Sequence, residues 1–132
     1  MSPEIEEENE LVRQIRAGFR TDAERTDRCL MERGCTGSDL EANPYTWIEA
    51  FADRTTDAVR ERNSDVVERH TGFMAEQYQS GSSHIRQLID VAYAENLMWN
   101  VEDHDKVWAW PYISPMIRQL YVEMWGSPCP KG

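Results

Sequence analysis

Three histidines, His70, His84 and His104, are the residues of this 132-residue chain best suited to hold a metal ion or move a proton near neutral pH. His104-Asp105 is the His-Asp dipeptide that a helical metal-dependent phosphohydrolase requires, and His70 and His84 are nominal further ligands. No histidine has another four residues on, and none stands three residues after a Glu. The His-Glu-x-x-His motif and the Glu-x-x-His of di-iron bundles are therefore absent. His104-Asp105 reads equally as the acidic start of a helix, which is the preferred reading, and no metal or cofactor is expected. Cys29 and Cys35 are too far apart for a Cys-x-x-Cys redox pair and do not fit a usual zinc knuckle. With Cys129 they make an odd number, which suits reduced thiols better than a disulfide framework. Ser80-Gly81-Ser82-Ser83 lacks the lysine of a phosphate loop, and no Gly-x-Ser-x-Gly occurs. No catalytic residue is assigned, and the chain is expected not to be an enzyme.

Charge says more than any motif. There are 24 acidic residues against 14 basic ones, a net charge of −10. The isoelectric point is near 4.7 and the mean hydropathy is −0.70. Such a field repels phosphate backbones and anionic lipid, so neither a nucleic acid nor a membrane is the expected partner. The charge favours a basic protein surface as partner, or it serves solubility alone. No run approaches the ~20 apolar residues that span a bilayer. The segment from Met1 to Glu8 is acidic where a secretory signal is basic and then apolar, so the expected location is cytoplasmic.

Carboxylates and aromatics are then the candidate contacts: Asp39, Glu41, Glu49, Asp53, Glu95, Asn96, Glu102, Asp103, Asp105, Trp108 and Trp110. The carboxylates would pair with a partner's Lys or Arg. Trp108 and Trp110, two apart and so facing different ways on a helix, would serve as anchors within an acidic rim. Trp99, Tyr121 and Trp125 are read as core.

Helical periodicity runs almost throughout and no alternating strand pattern appears. Ser2-Pro3 reads as a cap with proline at the first helical position, and the following glutamates complement the helix dipole. Ile5, Val12, Ile15 and Phe19 form the stripe, with a break near Gly18. A second helix covers about 22–33, and Cys35 to Asn43 reads as a loop. Asn43-Pro44 opens a helix with Trp47, Ile48, Phe51, Thr55, Ala58, Val59 and Arg62 on one face. Asn63-Ser64 caps the next, whose stripe includes Val66, Val67, His70, Phe73 and Met74. Ile85, Leu88, Ile89, Ala92, Asn96 and Trp99 suggest one continuous helix, then come a short helix from about Asp103 to Trp110 and a last one after Ser114-Pro115. Short turns make neighbours antiparallel. The fold class is all-α: one domain over 1–132, a compact multi-helix bundle or a short HEAT-like stack of antiparallel helix pairs. Residues 1–34 are expected to dock less firmly, and 127–132 to form a tail.

The stretch 45–125 carries Phe73-Met74-Ala75-Glu76-Gln77-Tyr78-Gln79-Ser80-Gly81 and a segment ending Glu95-Asn96-Leu97, followed by a short aromatic helix, a proline break and a final helix. It resembles small all-helical bacterial immunity proteins of polymorphic or contact-dependent toxin systems. The resemblance covers about 80 of the 132 residues and carries no catalytic motif; it singles out only Glu95 and Asn96 as positions of interest. It implies a protein that neutralises a cognate, basic, nuclease-like toxin. The alternatives are a helical adaptor or homodimer built on the C-terminal aromatics and, behind both, a metal-dependent hydrolase using His104 and Asp105.

Overall fold

Local signals set most helix limits. The structure is a computed structural model that describes residues 3–128, with the backbone alone described for 39–41. The proposed Ser2 cap, Cys129 and the end of the tail lie outside the described residues. Helix α1 (Pro3–Gly18) has Glu4 and Glu6 in its first turn and buries Leu11, Val12 and Ile15; Ile5, expected on that stripe, is 43% exposed. The expected break falls at Gly18-Phe19, and α2 (Arg20–Glu32) follows. It stops where Gly34 takes φ +101°, a left-handed conformation that glycine adopts without steric penalty. Residues expected to form a loop instead include a short helix α3 (Gly37–Ala42). Its polar composition carries no apolar period, which is why sequence pattern missed it.

Helix α4 (Pro44–Arg60) starts with proline in its first turn after Asn43. Helix α5 (Ser64–Ser80) is capped by the Asn63 side chain, which accepts from the Val66 N–H. Helix α6 (Ser83–Leu88) is capped likewise by Ser82, which accepts from Ile85 N–H. The expected continuous helix from Ile85 to Trp99 does not form. It passes into a π-helical turn (Ile89–Ala94) and then irregular turns to Asn100. Helix α7 (Asp103–Ala109) runs into a 3-10 turn (Trp110–Tyr112), and α8 (Pro115–Trp125) ends before Gly126. The fold is all-α, and no strand occurs among the described residues.

Helix α4 is the axis. It touches α1, α2, α3, α5, the π turn and α7. In a stack of repeats each unit meets only its neighbours, so the arrangement is a bundle around one buried helix. Trp47 and Phe51 of α4 are fully buried and stack with ring centroids 5.8 Å apart. Truncating a buried Trp of this kind to Ala costs about 3–5 kcal/mol. The Trp47 indole Nε1 donates to Asp27 of α2 at 2.8 Å, and Arg16 of α1 grips the same carboxylate with two bonds of 2.7 and 2.8 Å. One carboxylate thus ties α1, α2 and α4 together. The first two helices, expected to dock less firmly, bury Leu11, Val12, Ile15, Ala23, Thr26 and Leu30 in the common core.

A polar chain crosses that core. Asp22 of α2 faces His70 Nε2 of α5 at 2.9 Å. His70 Nδ1 faces Thr55 Oγ1 of α4 at 2.9 Å, and Thr55 Oγ1 meets the Tyr93 hydroxyl of the π turn at 2.8 Å. Thr55, His70 and Tyr93 are all at most 1% exposed. The assignment that satisfies every atom runs one way: Tyr93 donates to Thr55, Thr55 to His70 Nδ1, and His70 Nε2–H to Asp22. Burial pushes the Tyr93 phenol well above its ordinary value, against the bond to Thr55, so it stays a donor. The bond from His70 holds the Asp22 carboxyl below the usual aspartate range.

Candidate functional site: an acidic and aromatic face

The π turn decides what reaches the surface. Its extra residue per turn, closed by Glu95 N–H donating to the Asp90 carbonyl at 3.0 Å, shifts the helical register. Tyr93 then points inward to Thr55, and Leu97 and Met98 follow it into the core. Met98 has φ +59° and its N–H donates to the buried Thr56 hydroxyl at 2.9 Å. Asn100 also has φ +59°. Such left-handed non-glycine residues cost of order 1 kcal/mol each and persist only where the surroundings enforce them. Between them Trp99 turns outward and is 62% exposed. Arg60 of α4 braces this turn, donating to the Trp99 and Asn100 carbonyls at 3.2 and 3.4 Å.

Trp125, at the end of α8, is 48% exposed. Its indole Nε1 donates to the Glu95 carbonyl at 3.0 Å, and its ring centroid lies 5.7 Å from that of Trp99, inclined by 52°. Both had been expected in the core. Glycine at 126, with φ +81°, ends the helix directly after Trp125. The two indoles border a cavity of about 250 Å³ whose lining includes Leu97, Met98, Glu102, Lys106 and Tyr121. Tyr121 is buried as expected.

Glu95, whose carbonyl holds Trp125, links the aromatic pair to further carboxylates. The Glu49 carboxyl is pushed up, first by burial and further by the charges of Asp53 and Glu95, against a hydrogen bond from Asn96 that pulls it down. Tyr45, on the turn of α4 before Glu49, is raised by burial and then by Glu49 and Glu95. No cation is among the influences on either group. Four of the expected contact residues, Glu49, Asp53, Glu95 and Asn96, are thereby brought together although they come from sequence positions more than 40 apart. The Glu95 side chain, expected as a partner contact, makes no ion pair among the described residues; its backbone N–H and carbonyl are both engaged. Asp53 meets Arg33 at 3.4 Å, with both side chains substantially exposed. Such a pair contributes little. The arrangement can accept hydrogen bonds and positive charge beside an apolar platform.

Asp105, Trp108 and Trp110 of the second expected group are engaged internally. Arg62 pairs with Asp105 at 2.8 Å and lies over the Trp108 ring at 5.0 Å, while Tyr112 covers it from another side. Trp110 packs against Tyr121 at 5.8 Å with Arg118 at 6.0 Å. Trp108 and Trp110 are therefore only half-exposed and already partnered. Glu102 and Asp103 are exposed. The Asp39 and Glu41 side chains lie outside the described residues, on α3. The histidines do not meet: His70 is committed to Thr55 and Asp22, His84 to Glu8 of α1, and His104 sits exposed beside Glu102 and Asp105. Among the described residues no three His, Cys, Asp or Glu side chains are placed to hold a metal ion. Cys29 accepts from Arg54 Nη1 at 2.8 Å. No helix among the described residues is long and apolar enough to cross a membrane.

Fold and surface together define a helical-bundle protein with an acidic and aromatic face. The chain belongs to the family described as a domain of unknown function, DUF7674, whose model matches residues 5–126. No curated protein and no solved structure matches it.

Proposed function

We propose that the protein is a non-enzymatic, immunity-type inhibitor that binds a basic, nuclease-like toxin domain and covers the cationic surface the toxin uses for its substrate. The observation that carries this reading is the carboxylate group Glu49, Asp53 and Glu95, whose one ion pair is the weak contact of Asp53 with Arg33, together with two exposed indoles of which Trp125 is bonded to Glu95. A net charge of −10 steers a cationic partner toward the protein and raises the association rate. Carboxylates at the contact then occupy the positions that phosphates would take. The contact surface needs no rearrangement, because Trp125 and the turn carrying Trp99 are pinned by Glu95 and Arg60. Co-purification with the product of the neighbouring gene tests the reading. A stable complex in moderate salt, with loss of the toxin's activity, is expected; an adjacent product with no toxin-like domain, or no association, removes it.

The exposed Trp99–Trp125 pair favours a second reading, a homodimer formed on this face. Two copies would bring Glu49, Asp53 and Glu95 against their own counterparts, so the first reading is preferred. Light scattering separates the two: a monomer is expected, and a dimer lost on Trp99→Ala would establish the second.

A further inference from the structure

We infer that the Trp99–Trp125 face is an arginine-recognition site, completed by a guanidinium supplied by a partner protein. The pattern is set by the protein's own tryptophans. Arg16 lies over Trp47 at 4.9 Å, Arg62 over Trp108 at 5.0 Å and Arg118 over Trp110 at 6.0 Å. In two of these the same guanidinium also pairs with a carboxylate: Arg16 with Asp27 and Arg62 with Asp105. Indole face plus carboxylate is thus one of the ways this fold holds arginine. Of the five tryptophans, Trp99 and Trp125 alone carry no such cation among the described residues, and they are also the exposed ones.

Every other part of the arrangement is present at that face. Two exposed indoles stand side by side, inclined by 52°. Glu95 adjoins Trp125 through its carbonyl, the charge of Glu95 reaches Glu49, and neither carboxylate makes an ion pair among the described residues; Lys106, which lines the cavity beside the indoles, lies over Tyr121 at 5.9 Å. A planar guanidinium can lie against an indole while its edge donates to a carboxylate, whereas an ammonium is a point charge that keeps its hydration. The Glu95 carbonyl is already taken by Trp125, leaving its carboxylate for the incoming group. A second copy of this chain is the poorer occupant because its own carboxylates would face these. The inference rests on the proposed function only for the partner being a basic protein; the chemistry of recognition stands on the face itself.

The experiment uses the full chain labelled with nitrogen-15 and two probes, tetra-arginine and tetra-lysine peptides, followed by the tryptophan indole N–H signals. Tetra-arginine is expected to move the Trp99 and Trp125 signals saturably, leave that of buried Trp47 in place, and bind at least fivefold tighter than tetra-lysine. Trp99→Ala should remove that preference, and the pair Glu49→Gln with Glu95→Gln should weaken both peptides about fivefold or more. Equal binding of the two peptides overturns the inference, as do shifts confined to the acidic start of α1 or an unchanged Trp99→Ala. Its fate separates from that of the toxin reading. A toxin partner whose binding ignores Trp99→Ala overturns the arginine site alone. An arginine-selective face on a protein that binds no neighbouring toxin overturns the toxin reading alone.

Discussion

Two polar groups of α4 have opposite fates. Toward α5, Thr55 joins His70, Asp22 and Tyr93 in a chain with every donor and acceptor used. Nearer the surface, Glu49 and Asp53 crowd Glu95 with one hydrogen bond from Asn96 and one weak contact to Arg33. A buried polar group must find its partners within the fold, because leaving it unpaired costs about 1–3 kcal/mol. A surface carboxylate is kept in water and can wait for a partner from outside. The first group specifies how four elements dock; the second is available for recognition.

Breaking the first group should show in stability. His70→Ala removes a fully buried ring, takes from Asp22 its shortest bond and leaves the Thr55 hydroxyl without its acceptor, and is expected to cost about 3–4 kcal/mol. Urea unfolding measures it, and a cost below about 1 kcal/mol would mean that the chain does not hold the helices together. Thr55→Val keeps the volume but leaves the Tyr93 hydroxyl without an acceptor and His70 Nδ1 without a donor. About 2 kcal/mol is expected, read from the same unfolding curves.

Acid should attack the same group. The folded Asp22 carboxyl lies below its unfolded value of about 3.9, chiefly through the bond from His70. Its contribution is therefore complete above about pH 5 and is lost as pH falls through the folded value. Unfolding midpoints at pH 7 and pH 3 should differ less in Asp22→Asn than in the wild type.

The smallest effect on stability belongs to the second group. Glu49 is raised on folding, so its charged form is disfavoured at neutral pH and the disfavour is relieved as pH falls through its folded value. Glu49→Gln should leave stability within about 0.5 kcal/mol of the wild type at pH 7, or raise it slightly. It should still weaken binding of a cationic partner, measured by titration calorimetry. A variant that lost stability and kept binding would reverse the assignment of the two faces.

How legible this was depended on sequence distance. The Asn63 and Ser82 caps, proline after Asn43 and Ser114, and glycine at 34 and 126 act within a few residues of themselves, so the limits of α4, α5 and α8 could be read directly. The apolar faces of α4 and α5 were readable for the same reason. Glu49, Asp53, Glu95 and Asn96 were named as contacts from residue type, but nothing in the pattern said they would meet while Asp105 and Trp108 would be claimed by Arg62. His70 could be placed on a stripe but not beside Asp22, 48 residues away.

The amino-acid order by itself determined an all-helical chain with a large surplus of carboxylates, because helix caps, apolar period and charge are local or additive properties. Which aromatics face water was decided only in three dimensions. A continuous helical count places Trp99 with Ile85, Leu88 and Ala92. The π turn adds a residue, Thr56 and Arg60 hold Met98 and Asn100 left-handed, and the indole is turned outward by contacts from a helix some 40 positions earlier.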